Sequence, residues 1–253
     1  MDADSIRHYE ELALTAFPAL STAFHDGWIL RFAAGYTKRA NCVNPLYPST
    51  LDLAEKIGYC EVAYARAGAS SVVFKLTSCS LPPDLDTALT ERGYTLVDPV
   101  SVQILALTAC EPAAITEGAV TLDDRATDAW CDSYVRLSGI PARFRPIMAR
   151  MLQALGVPAC FLTVEVEGST AAVALAVADG AFVGIFNVVV AREFRRRGLG
   201  EAIVREATRW GREQHAEIAY LQVTQANAPA NALYRKMGFA EAYTYWYRTR
   251  TLG

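Results

Sequence analysis

The residues best suited to chemistry are three arginines followed by two glycines, within the segment Val188 to Ala202, VVVAREFRRRGLGEA. Arg195 to Arg197 precede Gly198-Leu199-Gly200, where an apolar strand gives way to a helix. A helix N-terminus exposes unpaired backbone N–H groups and positive dipole charge, and glycine lets an anion approach the main chain. Arginine adds charge and bidentate contacts. The segment predicts a phosphate site, while a simple tight turn with a solvated charged run is the alternative.

Two common phosphate-binding patterns do not match this segment. GxGxxG and GxxxxGK[ST] need glycines that are absent here, and both belong to parallel sheets. The chain ahead of the arginines instead predicts an antiparallel meander, because three apolar runs are broken at Glu167-Gly168-Ser169 and at Asp179-Gly180. Asp-Gly between apolar runs is typical of a two-residue hairpin turn.

A helix, a strand, a second helix and a last strand are predicted after the arginines. The apolar positions that recur at helical spacing are Leu199, Ala202, Ile203, Ala207 and Trp210. Ile218 to Val223 predicts a strand, and Asn227 is suited to cap a short helix that ends at Gly238, where a left-handed residue is expected. The alternating segment FAEAYTYWYRTR predicts the last strand.

Composition excludes several classes of function. The 253 residues are 52% hydrophobic and 20% charged with a net charge of -3, which is typical of a soluble globular protein with an ample core. The slight acidity argues against a nucleic-acid or membrane partner, so any basic site must be local. The six cysteines form no CxxC pair and no signal-peptide pattern is seen, so free thiols, a cytoplasmic location and no metal site are expected.

An internal repeat indicates two domains. The segment from Thr77 to Gly93 parallels that from Thr224 to Gly238: each follows a strand, passes through a proline-containing link and a short helix, and ends in Gly-aromatic. Upstream, GWILRFAAGYTKRANCVNPL and the helix after it match the strand-then-helix order at the arginines. We predict a tandem duplication with domains 1–110 and 111–253, joined through the link from Ala109 to Gly118.

Two signatures resemble those of one enzyme family. Arg195-x-x-Gly198-x-Gly200 after an apolar strand resembles the acyl-CoA-binding signature of the GNAT acetyltransferase superfamily. Asn227, Asn231 and Tyr234 ahead of Gly238-Phe239 resemble its second signature, N-x-x-[AS]-x-x-x-Y-x-x-x-G-F. The resemblance covers about residues 121–250. It implies an α/β fold with a mixed, mainly antiparallel sheet flanked by helices, in tandem with a degenerate N-terminal copy.

The resemblance also implies roles for individual residues. Backbone amides of the arginine-glycine turn would hold the CoA pyrophosphate, pantetheine would lie along the valines like an extra strand, and a backbone N–H near Val188 would polarise the thioester carbonyl. Tyr234 would protonate the departing thiolate. The residues assigned to the cofactor are Val188, Val189, Val190, Arg195, Arg196, Arg197, Gly198, Leu199, Gly200, Glu201, Ala202, Asn227, Asn231 and Tyr234.

Structural roles compete with these assignments. Asn227 is expected to cap its helix whatever else it does. Asn231 lies in the first turn, where a short amide also supports the adjacent loop. Tyr234 shares a helix face with Met237, so core packing is its alternative role.

The general base departs from the family pattern. Many relatives carry Glu or Asp in the strand before the arginine turn, but the only polar residue there is Asn187, and an amide takes no proton at neutral pH. Asn187 either orients the substrate or is a satisfied buried amide. With Asp179-Gly180 as the turn, Val188 pairs with Ala171 and Ala171 with Glu165, so Glu165 is the candidate base on the face of Val188. A slip of one residue would place it on the other face.

The residues that would bind the acceptor each have an alternative role as solvated helix residues. The connection Ser138-Gly139-Ile140-Pro141 would border the acceptor site, with Tyr134, Arg143 and Arg145 as candidate contacts or solvated helix residues. The N-terminal copy has Asn44-Pro45-Leu46-Tyr47-Pro48-Ser49 in place of the arginine turn. Proline lacks an N–H, so this half is not expected to bind pyrophosphate in the same way.

The resulting hypothesis is an N-acetyltransferase. It would transfer the acetyl group of acetyl-CoA to a primary amine of a small-molecule or amino-acid-like acceptor, by direct attack in a ternary complex, as a monomer or homodimer without nucleic-acid or membrane partners. The alternative is a non-catalytic module that senses acyl-CoA.

Overall fold

The computed structural model describes residues 1–107 and 118–252. The helices are α1 (Ala3–Ala16), α2 (Leu53–Arg66), α3 (Leu85–Glu91), α4 (Asp128–Ser138), α5 (Arg145–Gln153), α6 (Leu199–Glu213) and α7 (Ala228–Lys236). The strands are β1 (Ser21–His25), β2 (Trp28–Phe32), β3 (Val43–Asn44), β4 (Ser71–Thr77), β5 (Thr95–Ala106), β6 (Ala119–Asp123), β7 (Ala159–Val166), β8 (Ser169–Asp179), β9 (Phe182–Val190), β10 (Ile218–Thr224) and β11 (Ala240–Thr251).

The chain forms two compact units. The first comprises Met1–Ser101, Thr224–Ala226 and Tyr243–Gly253, and the second comprises Val102–Val223 and Asn227–Ala242. Strands β5 and β11 each contribute residues to both units. The link predicted to join two domains lies, except for Gly118, outside the described residues, as does Cys110.

The first unit has the strand order β1-β2-β3-β4-β11. Its strands are antiparallel except for β3 and β4, which run parallel on either side of the α2 connection. Trp28, Leu30, Phe74 and Leu76 point to one face of this sheet, where they pack with Ile57 of α2. The members of this cluster alternate along β2 and β4, as the period of two in a strand requires.

The second unit has the strand order β10-β9-β8-β7-β6. Strands β7 to β9 form the predicted antiparallel meander, β6 pairs antiparallel with β7, and β10 runs parallel to β9. The largest helix, α6, packs on one face, where Leu199, Ile203 and Ala207 meet Ile185 and Ala174. Each unit is thus a mixed, mainly antiparallel sheet flanked by helices, which confirms the predicted fold class.

A strand-helix-strand-helix order recurs in both units: β3-α2-β4-α3 in the first and β9-α6-β10-α7 in the second. In each case the two strands are parallel neighbours. The strand that precedes α2 is the two-residue β3, whereas Trp28–Phe32 forms the antiparallel strand before it.

The hairpin turn between β8 and β9 differs by one residue from the prediction. Asp179 pairs with Phe182, so the two turn residues are Gly180 and Ala181. Gly180 has φ of +56°, a conformation that glycine adopts without steric cost. Within the described ranges, no helix combines the length and apolar character needed to cross a membrane.

Candidate functional site

The arginine-glycine turn joins β9 to α6 and contains two left-handed residues. Arg196 has φ of +62° and Gly198 has φ of +83°. The left-handed region costs a non-glycine residue about 1–2 kcal/mol, so the surrounding structure must hold Arg196 there. Successive backbone N–H groups in such turns converge on a concavity that binds anions.

The N-terminus of α6 is open. Its N-cap is Gly198, which has no side chain to accept from the first-turn amides. Four other helices are capped by their own N-cap side chains, namely Asp2 in α1, Asp52 in α2, Thr127 in α4 and Asn227 in α7. A Cβ added at Gly198 would meet nothing within 4 Å, so there is open space at this helix end. Ala202 donates to the Gly198 carbonyl at 3.0 Å, the first bond of the helix.

The three arginines of the turn are exposed and lie close to this helix end. Arg195 donates from Nε to the carbonyl oxygen of Val190 at 3.2 Å. The guanidinium of Arg197 lies 5.1 Å from the ring centroid of Phe194. Their positive charge adds to that of the helix dipole, and both favour an anionic ligand.

Strands β9 and β10 are paired along only part of their length. Their parallel ladder runs from Phe182 and Ile218 to Ile185 and Leu221. Strand β9 continues to Val190 beyond the last pair. The backbone polar groups of that half of β9 have no partner in this ladder, which leaves room for a polar chain such as pantetheine to pair with the strand.

A β-bulge lies in β9 immediately after this point. The β8–β9 register shifts between the Leu175–Phe186 pair and the Val173–Val189 pair, so β9 carries one extra residue. Asn187 falls within the bulge and has φ of +53°. Asparagine tolerates this left-handed conformation better than most residues.

Asn187 is buried without hydrogen-bond partners. Its side chain is only 9% exposed, and neither Oδ1 nor Nδ2 has a partner. The interpretation of Asn187 as a satisfied buried amide is therefore wrong. An unsatisfied buried amide costs about 1–3 kcal/mol, and such groups in native proteins call for an explanation.

Val188, Val189 and Val190 follow the bulge and are half-buried. Val188 and Val190 pack against the core of the second unit. A Cβ at Gly200 would lie 3.3 Å from Leu233 Cδ2 and 3.7 Å from Val190 Cγ2, so glycine allows the first turn of α6 to approach both β9 and α7.

Helix α7 begins and ends as predicted. The Asn227 side chain accepts a hydrogen bond from the N–H of Ala230 at 3.2 Å. Gly238 follows the helix with φ of +93°. Asn231 donates from Nδ2 to the Asn227 carbonyl at 2.9 Å and accepts at Oδ1 from Gln103 at 3.0 Å. Asn231 therefore links α7 to β5 and to its own N-cap.

Tyr234 is buried on the inner face of α7. Its ring centroid lies 5.9 Å from that of Phe239, and it packs in the core of the second unit. Burial raises the pKa of Tyr234 to about 12, so the phenol is protonated at neutral pH. Core packing and proton donation are compatible with this placement.

Glu201, in the first turn of α6, is surrounded by cations. Lys236 Nζ lies 2.6 Å from its Oε2, and Arg205 Nη2 lies 2.9 Å from its Oε1. The hydrogen bonds from Lys236 and then from Arg205 lower the pKa of Glu201. Lys236 was not among the predicted site residues, because a contact between residues 35 positions apart has no local signal in the sequence.

The predicted placement of Glu165 on the face of Val188 is wrong. Glu165 pairs with Thr170, because the β7–β8 ladder shifts at Val164/Glu165, and the β9 bulge shifts Val188 as well. Val164 and Val166 lie in the core with α6, so Glu165 between them points to the opposite face. Val188 packs on the α6 side. Glu165 and Val188 therefore do not share a face, and Glu165 is exposed.

The candidate acceptor contacts are spread over α4 and the connection to α5. Tyr134 is buried, with its ring stacked on Trp130 at a centroid distance of 5.5 Å. Arg145 is paired with Asp128 and Asp132 at 2.7 Å and 2.8 Å. Arg143 is exposed beside Phe144. Arg145 is thus committed to an ion-pair network on α4.

The equivalent helix start in the first unit is closed. The Asp52 carboxylate accepts from the N–H groups of Ala54 and Glu55 at 2.8 Å and 3.2 Å. The protein's own carboxylate thus occupies the place that an anion would take. Within residues 1–107 and 118–252, no group of three or more His, Cys, Asp or Glu side chains is arranged to hold a metal.

A family model and a relative of similar length each match nearly the whole chain. Residues 3–248 match the family model described as "Probable histone acetyltransferase Rv0428c C-terminal". "Uncharacterized N-acetyltransferase YobR" of Bacillus subtilis (strain 168) is 31% identical over 259 residues, covering 98% of this chain and 99% of that protein.

Two solved structures share the fold at low identity. A "GCN5-related N-acetyltransferase from Kribbella flavida" has a TM-score of 0.71 at 18% identity, covering 99% of this chain and 96% of that chain. A "Tandem GNAT protein from the clavulanic acid biosynthesis pathway" has a TM-score of 0.67 at 15% identity, covering 96% and 87%.

Proposed function

This chain belongs to the Rv0428c C-terminal acetyltransferase family and is an N-acetyltransferase of the GNAT type, and we propose that it transfers the acetyl group of acetyl-CoA to a primary amine. The acceptor is a small molecule or an amino-acid-like compound. Transfer occurs by direct attack in a ternary complex of protein, acetyl-CoA and acceptor.

The open N-terminus of α6 carries this proposal. Gly198 leaves the first-turn amides without a cap, and the neighbouring arginines add positive charge. A diphosphate matches this site because it accepts several backbone N–H bonds at once while compensating the helix dipole. Lys236 and Arg205 neutralise Glu201, which would otherwise repel the anion.

The half of β9 that continues beyond the β10 ladder supports a position for the pantetheine arm on the side away from β8. Amide groups of pantetheine can pair with the backbone of Val188 to Val190, where the β10 ladder has ended. The N–H of Val188 then donates to the thioester carbonyl beside the bulge. Fixed donors of this kind stabilise charge that develops on the oxygen during attack.

Tyr234 supplies the proton in this mechanism. Acetyl-CoA provides an acetyl group on a thiolate leaving group, and a thiol has an ordinary pKa near 8.5. The buried phenol is protonated throughout the range in which the thiolate departs. It can therefore donate a hydrogen bond or its proton to the sulfur. No role is assigned to Glu165, because it points away from Val188.

Calorimetry and a thiol-release assay test this function together. Folded protein is titrated with CoA and then assayed with acetyl-CoA against small amines, amino-acid amides and a lysine-containing peptide. We expect one CoA per chain and acceptor-dependent release of thiol. Binding without turnover across the panel would favour the acyl-CoA sensor. Absence of binding by folded protein would overturn the proposed site.

A further inference from the structure

The unpartnered amide of Asn187 points to a role in the reaction. Both its polar atoms are buried without hydrogen bonds, and its backbone is left-handed in a bulge next to the last β9–β10 pair. A buried amide and a strained backbone each disfavour folding, so their coincidence needs a compensating gain. A ligand that satisfies both atoms would supply that gain.

The strands around Asn187 offer no carboxylate to act as a base. Strands β9 and β10 contain no Asp or Glu, and β8 has only Asp179, which pairs with Phe182 at the hairpin turn. These strands therefore place no carboxylate beside Asn187 that could take a proton from a group it contacts.

The helices packed against β9 hold their carboxylates in ion pairs. In α4, Asp128 and Asp132 both pair with Arg145. In α6, Glu201 pairs with Arg205 and Lys236, while Glu206 and Glu213 pair with Arg209. The other titratable or charged groups on these helices and on β10 are Cys131, Tyr134, Arg136, Arg212 and Tyr220. None of them is an anion at neutral pH, and the carboxylates of these helices are already in ion pairs, so these elements do not favour a bound ammonium ion.

We infer that the Asn187 amide contacts both substrates, donating from Nδ2 to the thioester carbonyl and accepting at Oδ1 from a neutral acceptor amine, so that the site selects weakly basic amines such as α-amino groups over alkylammonium ions. This inference rests on the proposed function. The N and O atoms of one amide are close enough to bring the amine and the carbonyl into attack distance of each other. Asn187 Nδ2 and the Val188 N–H are then two donors to the same oxygen.

The chemistry balances without an enzyme base. The neutral amine forms the N–C bond to the acetyl carbon, and the C–S bond breaks with its electron pair remaining on sulfur. The amine proton passes to solvent water. Tyr234 gives its proton to the thiolate and regains one from solvent. The products are an N-acetyl amine and CoA thiol.

The basicity of the acceptor amine decides the selectivity between α-amino groups and lysine-type amines. An α-amino group has a pKa near 8 and a lysine-type amine near 10.4, so the neutral fraction at pH 7 is roughly 200-fold larger for the α-amine. A carboxylate base would reduce this difference by taking the ammonium proton in the site. The neutral amide of Asn187 cannot take this proton.

An equilibrium experiment tests the thioester contact. Calorimetry compares acetyl-CoA with CoA for wild type, Asn187→Gly and Asn187→Asp. Glycine keeps the left-handed backbone and removes the amide, so the variant should fold, and aspartate keeps the shape but loses the donor. We expect wild type to prefer acetyl-CoA by about threefold to tenfold, the worth of one hydrogen bond, and both variants to lose that preference with unchanged affinity for CoA.

A kinetic experiment tests the amine contact. kcat/KM is measured against pH with glycinamide and with N-α-acetyl-lysine amide as acceptors. In wild type we expect the profile to level off near pH 8 for the first and to keep rising through pH 10 for the second, because each follows its own amine. Asn187→Gly should lower kcat/KM about 100-fold. Asn187→Asp should narrow the difference in kcat/KM between the two acceptors at pH 7.

The outcomes separate this inference from the proposed function. Folded protein that binds neither CoA nor acetyl-CoA would overturn the proposed function. If CoA binds and acetyl transfer occurs, but the two acceptors share one pH midpoint, an enzyme base is present and the inference on Asn187 is overturned. An unchanged acetyl-CoA preference in Asn187→Gly would also overturn it.

Discussion

Lys236 Nζ lies 2.6 Å from Glu201 Oε2, so the last turn of α7 is tied to the first turn of α6. The contact places a cation beside the only carboxylate in the opening turn of α6. One ion pair therefore joins the residue that directly follows the first signature to an unspecified position within the second.

Lys236→Ala should weaken CoA binding by about twofold to fivefold, as expected for an exposed ion pair at a helix end. Glu201 then keeps a less compensated negative charge beside the phosphate site. Calorimetry at low and high salt measures the effect, which should shrink with salt. Arg235→Ala on the same helix is the control for lost charge alone, and adding Glu201→Gln to Lys236→Ala should restore affinity.

The same pair gives a pH dependence of stability. The folded-state pKa of Glu201 lies below its usual value near 4.5, owing to Lys236 and Arg205. Its contribution is therefore present above pH 4.5 and is lost as pH falls through the lowered pKa. Acid unfolding should be less steep in Glu201→Gln than in wild type.

Gly198→Ala should lower CoA affinity at least tenfold. Alanine is strained at φ of +83°, and its methyl group would enter the open space at the α6 terminus. Gly168→Ala is the matched control, because Gly168 has φ of +73° and also has open space around its Cβ. Both variants should lose about 1–2 kcal/mol of unfolding free energy, and only the first should lose CoA binding. Equal affinity in the two would contradict the pyrophosphate site.

Tyr234→Phe should reduce kcat about 100-fold with little change in the Kd for CoA, since it removes a proton donor but keeps the packing. Because burial raises the pKa of Tyr234 to about 12, the acid form persists as pH rises, and kcat should not fall between pH 7 and 10 through loss of this proton. Steady-state kinetics and calorimetry separate the two effects. Weaker CoA binding with unchanged turnover would count against the acid role.

Asp52→Ala should cost about 1 kcal/mol of stability without affecting CoA. The Asp52 carboxylate caps two amides of α2, and removal of an N-cap typically has this cost. Denaturation measures the loss, and calorimetry should still give one CoA per chain. A second binding site in wild type would contradict the closed state assigned to the α2 terminus.

Glu10→Gln should destabilise the first unit by about 3–5 kcal/mol. Glu10 and Lys75 are 1% and 5% exposed and lie 2.5 Å apart, so the substitution leaves a buried ammonium without its carboxylate partner. The double variant Glu10→Gln/Lys75→Met removes both charges and should recover most of the loss. Chemical denaturation of Glu10→Gln, Lys75→Met and the double variant, each against wild type, completes the cycle.

Features set by local interactions were predictable from sequence. The N-cap at Asn227, the left-handed Gly238 and the start of α6 beside Gly198 all depend on residues within one helical turn. The terminal strand β11 follows from its alternation. These predictions succeeded because the contacts that determine these features join residues close together in the sequence.

Register-dependent features were not predictable. One extra residue at Asn187 and a shift at Glu165 each move side chains between faces, and a turn displaced by one residue to Gly180–Ala181 changes which residues pair. A strand has a period of two, so a single uncounted residue reverses every assignment beyond it. The only local signal for the bulge was asparagine itself, which tolerates positive φ. The absence of partners for its amide depends on the folded packing.

Pairing of Tyr245–Thr251 in β11 with β4 has a consequence for synthesis. The first unit needs this strand to complete its sheet, yet the ribosome makes it only after nearly all of the second unit. Until then the free edge of β4 stays available to other extended chains. Assembly of the first unit must therefore wait until β11 has been made, and a ribosome that stalls in the second unit would release a fragment prone to aggregate.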